Sequence, residues 1–219
     1  MNQELVQAWY EKDSTLDEMR HFMPGVLKNW EVKVLDFFKK SSEVLDIGCG
    51  LGREAFALHQ KGYSVTGIDI SENAIKNAEQ IAGAYEMNIP FLRYDGKTLP
   101  FRDCSFDSVI LWSQTFGLLY GDKYKESFLK ECKRVLKEGG IFSFSAHDRE
   151  FQKMHYGRFV REDKFFPYAD SEIYWENFMP KEMIAFAESA GFSIISCERG
   201  EIYKPEDGVV LHCICKKLS

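Results

Sequence analysis

The chain has 219 residues, of which 45% are hydrophobic and 28% charged, and its formal net charge is −6. This length is typical of one α/β domain, so we expect a single domain over residues 1–219. The acidic balance argues against nucleic acid as a main partner, because phosphate binding requires a concentrated basic face. The chain has no apolar run long enough to span a bilayer, and its amino terminus lacks a signal-peptide pattern. We therefore expect a cytoplasmic protein with no membrane partner, either a monomer or a homodimer.

The six cysteines are spread along the chain and form no C-x-x-C pair. In an intracellular protein such cysteines are more often free thiols than disulfides. Two of them, Cys213 and Cys215, alternate near the end of the chain, but two thiols are too few ligands for a metal site. We expect no metal.

The chain begins with two predicted helices and continues with alternating strands and helices. The helices are predicted near Glu4–Phe22, Pro24–Lys39, Arg53–Lys61, Glu72–Tyr85, Asp122–Leu136 and Pro180–Ala190. The strands are predicted near Glu43–Ile47, Ser64–Ile68, Pro90–Tyr94, Ser105–Leu111, Gly140–Ala146, Phe192–Glu198 and Gly208–Lys217. This alternation indicates an α/β fold with a doubly wound, mostly parallel sheet of seven strands. The connection at 199–207 is too short for a parallel crossover, so the last strand should be antiparallel.

The most informative segment is residues 44–54, where a buried strand stops in a glycine-rich turn and a helix follows. Gly48, Gly50 and Gly52 have no Cβ atom, so a ligand can approach the main chain closely. A dinucleotide turn would need its third glycine one residue later, at Arg53, and a P-loop would need G-K-[ST]. Asp46 lies inside the strand, where its carboxylate is better placed for a cationic group than for a pyrophosphate.

Five segments resemble motifs of the class I S-adenosylmethionine-dependent methyltransferases, in the same order and at the expected spacing. They are residues 44–54, 65–71, 93–96, 99–110 and 134–141. The resemblance covers roughly residues 41–147. It implies a Rossmann-like methyltransferase fold, S-adenosylmethionine as cofactor with S-adenosylhomocysteine as product, and a small-molecule acceptor. The flanking parts are then a helical cap at 1–40, an insertion at 148–179, and a helix with a β-hairpin at 180–219.

The resemblance also implies roles for individual residues. Asp69, at the end of the second strand and about 20 residues beyond the glycine turn, would accept hydrogen bonds from the ribose. Asp95 would contact the adenine amino group, although an Asp-Gly pair also forms turns of its own. The full set of predicted cofactor-binding residues is Asp46, Gly48, Cys49, Gly50, Gly52, Asp69, Ile70, Asp95, Gly96, Trp112, Ser113 and Gln114.

The last three of these follow the fourth strand, at the end of the sheet where α/β folds bind ligands. Trp112 could equally be a core residue, because aromatic side chains dominate cores as well as pockets. Phe116 and Tyr120 are predicted to close the roof of the pocket. His147, predicted just beyond the fifth strand, is the candidate general base, in case the acceptor must lose a proton.

The insertion is rich in aromatic residues, with nine of them among the 28 residues at 151–178. Long insertions of this kind are usually lids or binding loops, so we expect this segment to contact the acceptor. An alternative is that its aromatic side chains pack against the amino-terminal helices or form a dimer contact. The predicted acceptor contacts are Trp9, Tyr10, His21, Phe116, Tyr120, Phe159, Tyr168, Tyr174 and Trp175.

Three other functions remain open at this point. A nicotinamide-dependent oxidoreductase shares the binding geometry, but the displaced third glycine opposes it. A non-catalytic protein that binds S-adenosylmethionine or S-adenosylhomocysteine as a regulator would need the same pocket. A protein or RNA methyltransferase is a weaker option, because the residues after the fourth strand, Leu-Trp-Ser-Gln at 111–114, do not resemble an Asn-Pro-Pro-Tyr motif.

Overall fold

The computed structural model describes residues 3–20, 25–157, 162–167, 173–202 and 208–218. The helices are α1 (Gln3–Tyr10), α2 (Asp13–Arg20), α3 (Asn29–Val34), α4 (Arg53–Gln60), α5 (Glu72–Ala84), α6 (Asp122–Val135), α7 (Arg149–His155) and α8 (Pro180–Ser189). The strands are β1 (Glu43–Ile47), β2 (Ser64–Asp69), β3 (Phe91–Arg93), β4 (Phe106–Leu111), β5 (Leu136–Asp148), β6 (Phe165–Pro167), β7 (Tyr174–Phe178), β8 (Phe192–Glu201) and β9 (Val209–Lys217).

The seven predicted strands form one sheet in the order β3-β2-β1-β4-β5-β9-β8. β1 to β5 run parallel to one another, and β9 is antiparallel to both β5 and β8. The α/β fold, its mostly parallel sheet and its antiparallel last strand are therefore confirmed. The strand order reverses between β1 and β4, and the carboxyl ends of these two strands form the crevice where such folds bind ligands.

The insertion adds a hairpin, β6 and β7, which the sequence did not predict. β7 pairs in parallel with the last two residues of β5, where His147 lies opposite Asn177. On its other side, His147 pairs with Val210 of β9. Strand β7 therefore lies on the same side of β5 as β4 does, beyond the point where β4 ends. The hairpin thus stands directly above the carboxyl end of β4.

Both faces of the sheet are buried, as expected for parallel strands covered by helices. On one face Leu45, Val109 and Phe142 contribute to a core that includes residues of α6 and α8. On the other face Val44 and Ile141 pack with residues of α3, α4 and α5. This double coverage leaves the carboxyl edge of the sheet as the place where a ligand can enter.

The first predicted helix, Glu4–Phe22, is divided into α1 and α2. The division lies next to Glu11, whose carboxylate accepts hydrogen bonds from the N–H groups of Glu72 (2.8 Å) and Asn73 (3.1 Å) at the start of α5. A carboxylate is favourable there, because the first N–H groups of a helix lack partners within the helix. This contact docks the cap onto the core. The second predicted helix starts later than expected, at Asn29, and Pro24 lies outside the described residues.

No helix in the described ranges combines the length and the apolar character needed to cross a membrane.

Candidate functional site

The glycine turn after β1 has the conformation that its sequence predicts. Gly48, Gly50 and Gly52 all have positive φ, at 71°, 52° and 89°, which L-residues adopt only with strain. A Cβ atom at Gly48 would lie 2.9 Å from a methyl group of Thr115, and one at Gly50 would lie 2.3 Å from Cε of Met19. The turn therefore requires glycine both for its dihedral angles and for its close neighbours.

Asp69 joins the glycine turn to the start of α5. One of its carboxylate oxygens accepts the N–H of Gly50 and the other accepts the N–H of Ser71, both at 2.9 Å. Burial raises the pKa of Asp69, and the backbone N–H bonds partly oppose that rise. A carboxylate has about four acceptor positions, so two bonds leave capacity for a ligand.

A cavity lies above the glycine turn and Asp69. Its floor is formed by Gly48, Gly50, Asp69 and Ser113; its side wall by Ile70, Ala74, Tyr94, Gly96, Thr115, Leu118, Leu119 and Tyr124; and its roof by Gln3, Val6, Tyr10 and Met19. Bare main chain and a buried carboxylate thus lie at one end, and an apolar wall lies at the other.

This lining fits S-adenosylmethionine. The apolar wall that includes Ile70 and Tyr94 suits a purine ring, and the buried carboxylate of Asp69 suits a pair of sugar hydroxyls. The absence of a side chain at Gly50 leaves room for the amino-acid part of the molecule to lie against the main chain. Met19 lies over this position, and its unbranched side chain can move aside at small cost.

The roof is docked through backbone atoms of the segment that follows β2. Gln7 donates from its side-chain amide to the carbonyl of Ile70 (3.4 Å), and the Ser71 hydroxyl donates to the carbonyl of Tyr10 (2.9 Å). Tyr10 lines the cavity as predicted. Trp9 packs beside it, in the apolar cluster that contains Leu118. His21 lies outside the described residues.

Asp95 does not line the cavity. Its side chain is exposed, and one carboxylate oxygen accepts the N–H groups of Lys97 (2.8 Å) and Thr98 (3.0 Å). These bonds, that of Thr98 first, lower the pKa of Asp95. The structure therefore favours the turn interpretation over the adenine contact. Gly96 does reach the cavity, and its carbonyl accepts a hydrogen bond from the Tyr124 hydroxyl.

The residues after β4 divide between the cavity and the core. Ser113 lines the cavity, whereas Trp112 is buried beneath it with its indole N–H donating to the Ser143 hydroxyl at 2.9 Å. Gln114 is buried, and its backbone N–H donates to the Ser145 hydroxyl at 3.0 Å. Phe116 is fully buried against other core aromatic rings rather than in the roof. Side chains alternate between the two faces of the sheet along β4. The side chain of Trp112 is in the core because it points to the face that α3 covers.

Cys49, Ile70 and Asp46 complete the predicted cofactor set. Ile70 lines the cavity, and Cys49 belongs to the core, where burial raises the pKa of its thiol. The carboxyl group of Asp46 is buried behind the turn, and Oδ2 has no hydrogen-bond partner among the described residues. Burial raises the pKa of Asp46, and the nearby negative charge of Glu54 raises it further.

A buried ionic network behind the turn was not predicted. Arg53 donates to both carboxylate oxygens of Glu31, at 2.9 and 2.7 Å, and to the carbonyl of Val26 at 2.7 Å. Arg53 also contacts Glu54, which accepts a 2.6 Å hydrogen bond from the hydroxyl of Ser113. The network therefore holds Ser113 at the floor of the cavity. The only sequence signal was the arginine in place of the third glycine of a dinucleotide turn.

His147 lies within β5, because this strand continues to Asp148, and not in the loop beyond it. Its ring contacts the edge of Trp175, with 4.9 Å between ring centroids. Burial, and then the positive charge of Lys28, lower the pKa of His147 to about 4. The ring is therefore neutral near pH 7, where it is a weak base.

The described acceptor candidates in the insertion stand beside the cavity and not in its lining. Tyr120 donates its hydroxyl hydrogen to the carbonyl of Tyr174 at 2.7 Å, and Trp175 contacts His147. The hairpin is fastened to α6 by a buried ion pair, in which Lys125 and Glu176 are 2.5 Å apart. Phe159 and Tyr168 lie outside the described residues.

Comparison with known proteins gives one consistent family. A family model described as a methyltransferase domain matches residues 44–140. The chain is 28% identical over 176 residues to a putative methyltransferase of a Geobacillus strain, covering 79% of this chain and 66% of that protein. It is 28% identical over 194 residues to a ubiquinone biosynthesis O-methyltransferase of Coxiella burnetii, covering 88% of this chain and 80% of that one.

A solved structure agrees with these matches. The crystal structure of a SAM-dependent methyltransferase from Methanosarcina mazei superposes with a TM-score of 0.76 at 27% identity. The match covers 85% of this chain and 97% of that one.

Proposed function

We propose that the chain is a class I S-adenosylmethionine-dependent methyltransferase and that it transfers a methyl group from this cofactor to a small-molecule acceptor. The observation that carries the proposal is the covered cavity, with the glycine turn and Asp69 at one end and an apolar wall at the other. Methyl transfer requires such a site. The cofactor supplies the reactive group, so the main task of the protein is to position the cofactor and the acceptor.

Each part of the cavity has a proposed role. The main chain at Gly48 and Gly50 lies against the amino-acid part of the cofactor, and Asp69 accepts hydrogen bonds from the ribose hydroxyls. The side chains of Ile70 and Tyr94 enclose the adenine ring. Support comes from the position of these residues around one cavity and from the burial of the Asp69 carboxylate.

The bound cofactor supplies an electrophilic methyl group attached to a sulfonium centre. The residues of the chain orient the acceptor toward that group and exclude water. Ser113 is held at the floor by the network of Arg53 and Glu54, so its position is well defined. Tyr10 and Met19 cover the cavity from above. His147 stays a proposal for the general base, with its lowered pKa as the argument against it.

A small acceptor is supported by two observations. Residues of α1 and α2 line one side of the cavity, and a cavity with helices over it suits a small molecule better than a polymer. One relative is an O-methyltransferase of ubiquinone biosynthesis, which indicates the type of acceptor found among similar proteins. We further propose a cytoplasmic location and a single methyltransferase domain over the whole chain.

Calorimetry with S-adenosylhomocysteine tests the cofactor site. We expect saturable binding, and its absence would refute the cofactor assignment while leaving the fold intact. A second assay supplies S-adenosylmethionine with a labelled methyl group and a small-molecule fraction of cell extract. Label in a small product supports the enzyme, whereas binding without transfer to any fraction favours a non-catalytic regulator.

A further inference from the structure

The helix α2 lies along the glycine turn and contacts it with two side chains. Leu16 is buried and packs in an apolar cluster with Leu51 of the turn and Ala74 of α5. Met19 packs against the same cluster. Because Met19 follows Leu16 by three residues, both side chains lie on one face of the helix. This face of α2 covers the main chain of residues 50–51.

The end of the Met19 side chain rests on Gly50. Its Cε methyl overlaps the position that a Cβ atom at Gly50 would take, and its Sδ is 3.9 Å from that position. Gly50 has a φ of 52° and no side chain, and both residues line the cofactor cavity. The contact is therefore made inside the cavity, on bare main chain.

The amino-acid part of the cofactor is proposed to lie at the same place. Two non-bonded carbon atoms need a separation of about 3.5–4.0 Å, so the Met19 methyl and the cofactor cannot both lie on Gly50. The two groups are also chemically alike, because each is an unbranched chain in which a sulfur atom carries a methyl group. A place that fits one of them therefore fits the other.

Met19 can leave this place without undocking the cap. Glu11, between α1 and α2, accepts hydrogen bonds from the N–H groups of Glu72 (2.8 Å) and Asn73 (3.1 Å), which fix the cap to α5. The Met19 side chain is unbranched and has three rotatable bonds, so it can turn away from Gly50 while these bonds stay intact. The cofactor has to displace one side chain and not a whole helix.

Resting on the proposed function, we propose that Met19 is an autoinhibitory plug. Its thioether fills the amino-acid subsite at Gly50 when the cofactor is not bound, and the cofactor must expel it to bind. An unfilled gap over the main chain would lose packing contacts, so a side chain that fills the gap stabilises the protein without its cofactor. The plug lowers the apparent affinity for the cofactor in proportion to the fraction of molecules whose subsite is open.

The plug opposes only one part of the ligand. S-adenosylhomocysteine carries the amino-acid part and has to displace Met19, whereas adenosine carries only the purine and the ribose. The proposed contacts of adenosine are Asp69, Ile70 and Tyr94, and none of them requires Met19 to move. Comparison of the two ligands therefore separates the plug from a general effect of the cap.

The first test follows the Met19 methyl group by NMR in the full unmodified chain, with ¹³C in the methionine methyl groups. The chain has seven methionines, so the Met19 signal is assigned by its absence from the Met19→Leu variant. We expect a nuclear Overhauser effect between this methyl and Hα of Gly50, both in the chain alone and in the chain saturated with adenosine. Saturation with S-adenosylhomocysteine should abolish it.

The second test measures both affinities by calorimetry in Met19→Ala. If the subsite is open in about a tenth to a third of the molecules, affinity for S-adenosylhomocysteine should rise roughly three- to tenfold, and affinity for adenosine should stay within about twofold. Leu16→Ala is the matched control, because it loosens the same helix and keeps the side chain over Gly50. It should change the ratio of the two affinities by less than about twofold.

Several results would overturn the proposal. In the NMR test they are an Overhauser effect that is missing from the chain alone or that persists with S-adenosylhomocysteine. In Met19→Ala they are unchanged or weaker binding of S-adenosylhomocysteine, or an equal gain for both ligands. If Met19→Ala does not fold, the NMR test on the unmodified chain still decides. Failure of that chain to bind either ligand would instead refute the proposed function.

Discussion

Replacing Asp69 by asparagine tests the centre of the cofactor site. The carboxylate accepts the N–H groups of Gly50 and Ser71, one on each oxygen. Asparagine keeps the shape but has one acceptor atom, so one of these buried N–H groups loses its partner. An unsatisfied buried group costs about 1–3 kcal/mol, which we expect as a lower free energy of unfolding in urea.

The same change removes the charge that would hold the ribose. A hydrogen bond to a charged group contributes about 1.5–3 kcal/mol, so affinity for S-adenosylhomocysteine should fall roughly 10- to 150-fold in Asp69→Asn. Calorimetry measures this loss directly, under conditions where the variant is folded. The design needs a control that separates a role in binding from a role in stability.

Asp107 offers a matched control at the other end of the sheet. Its carboxylate also accepts a backbone N–H, that of Glu43 at 3.1 Å, and it pairs with Lys137. Asp107→Asn should cost stability without weakening the binding of S-adenosylhomocysteine. If Asp69→Asn binds as tightly as the unmodified chain, or if both variants lose affinity equally, the ribose role of Asp69 is refuted.

Three further predictions concern the free energy of unfolding and, in one case, the binding of S-adenosylhomocysteine. Because the pKa of His147 is about 4 in the fold, against a usual 6.5, the unfolded chain binds its proton first. Stability is therefore lost as the pH falls from 6.5 to 4, by roughly 2–3 kcal/mol, and His147→Gln should flatten this part of the pH profile measured by urea unfolding. Lys125→Met leaves a glutamate of β7 buried without its cation and should cost about 3–5 kcal/mol, whereas a loss below about 1 kcal/mol in the same assay would contradict this account. Gly50→Ala should cost about 1–2 kcal/mol from its φ of 52°. It should also weaken S-adenosylhomocysteine binding, because the added Cβ fills the room proposed for the amino-acid part of the ligand. Gly62→Ala, with a φ of 88° and no atom within 4 Å of the new Cβ, should show only the stability cost in parallel unfolding and calorimetry experiments.

The resemblance to methyltransferases and the fold could both be recognised from local patterns in the sequence. The strand, glycine turn and helix at 44–54 are adjacent in the chain, and the dihedral angles that glycine allows are a property of single residues. The position of Asp69 at the end of β2 followed from the length of that strand. These features are confirmed as structure, while the cofactor contacts assigned to them stay predictions.

Several site residues could not be placed by the same reasoning. Alternation along β4 predicts which face Trp112 occupies, but not whether that face is open or covered by α3. Phe116 is buried because the helix α8 and the hairpin strand β7 meet above it, and neither is near it in sequence. Asp95 accepts a hydrogen bond from the backbone of its own turn. The spacing of residues in the sequence does not decide between this role and a contact with adenine.

What the sequence by itself determined is the order of the elements, the glycine turn and the acid at the end of β2, because each depends on neighbouring residues. The tertiary structure alone decided which side chains lose contact with water and which charges meet. The pairing of Arg53 with Glu31 joins residues 22 apart, and the contact of Glu11 with α5 spans 61 and 62 residues. Such contacts, and the lowered pKa of His147, arise from burial and distance, which exist only once the chain has folded.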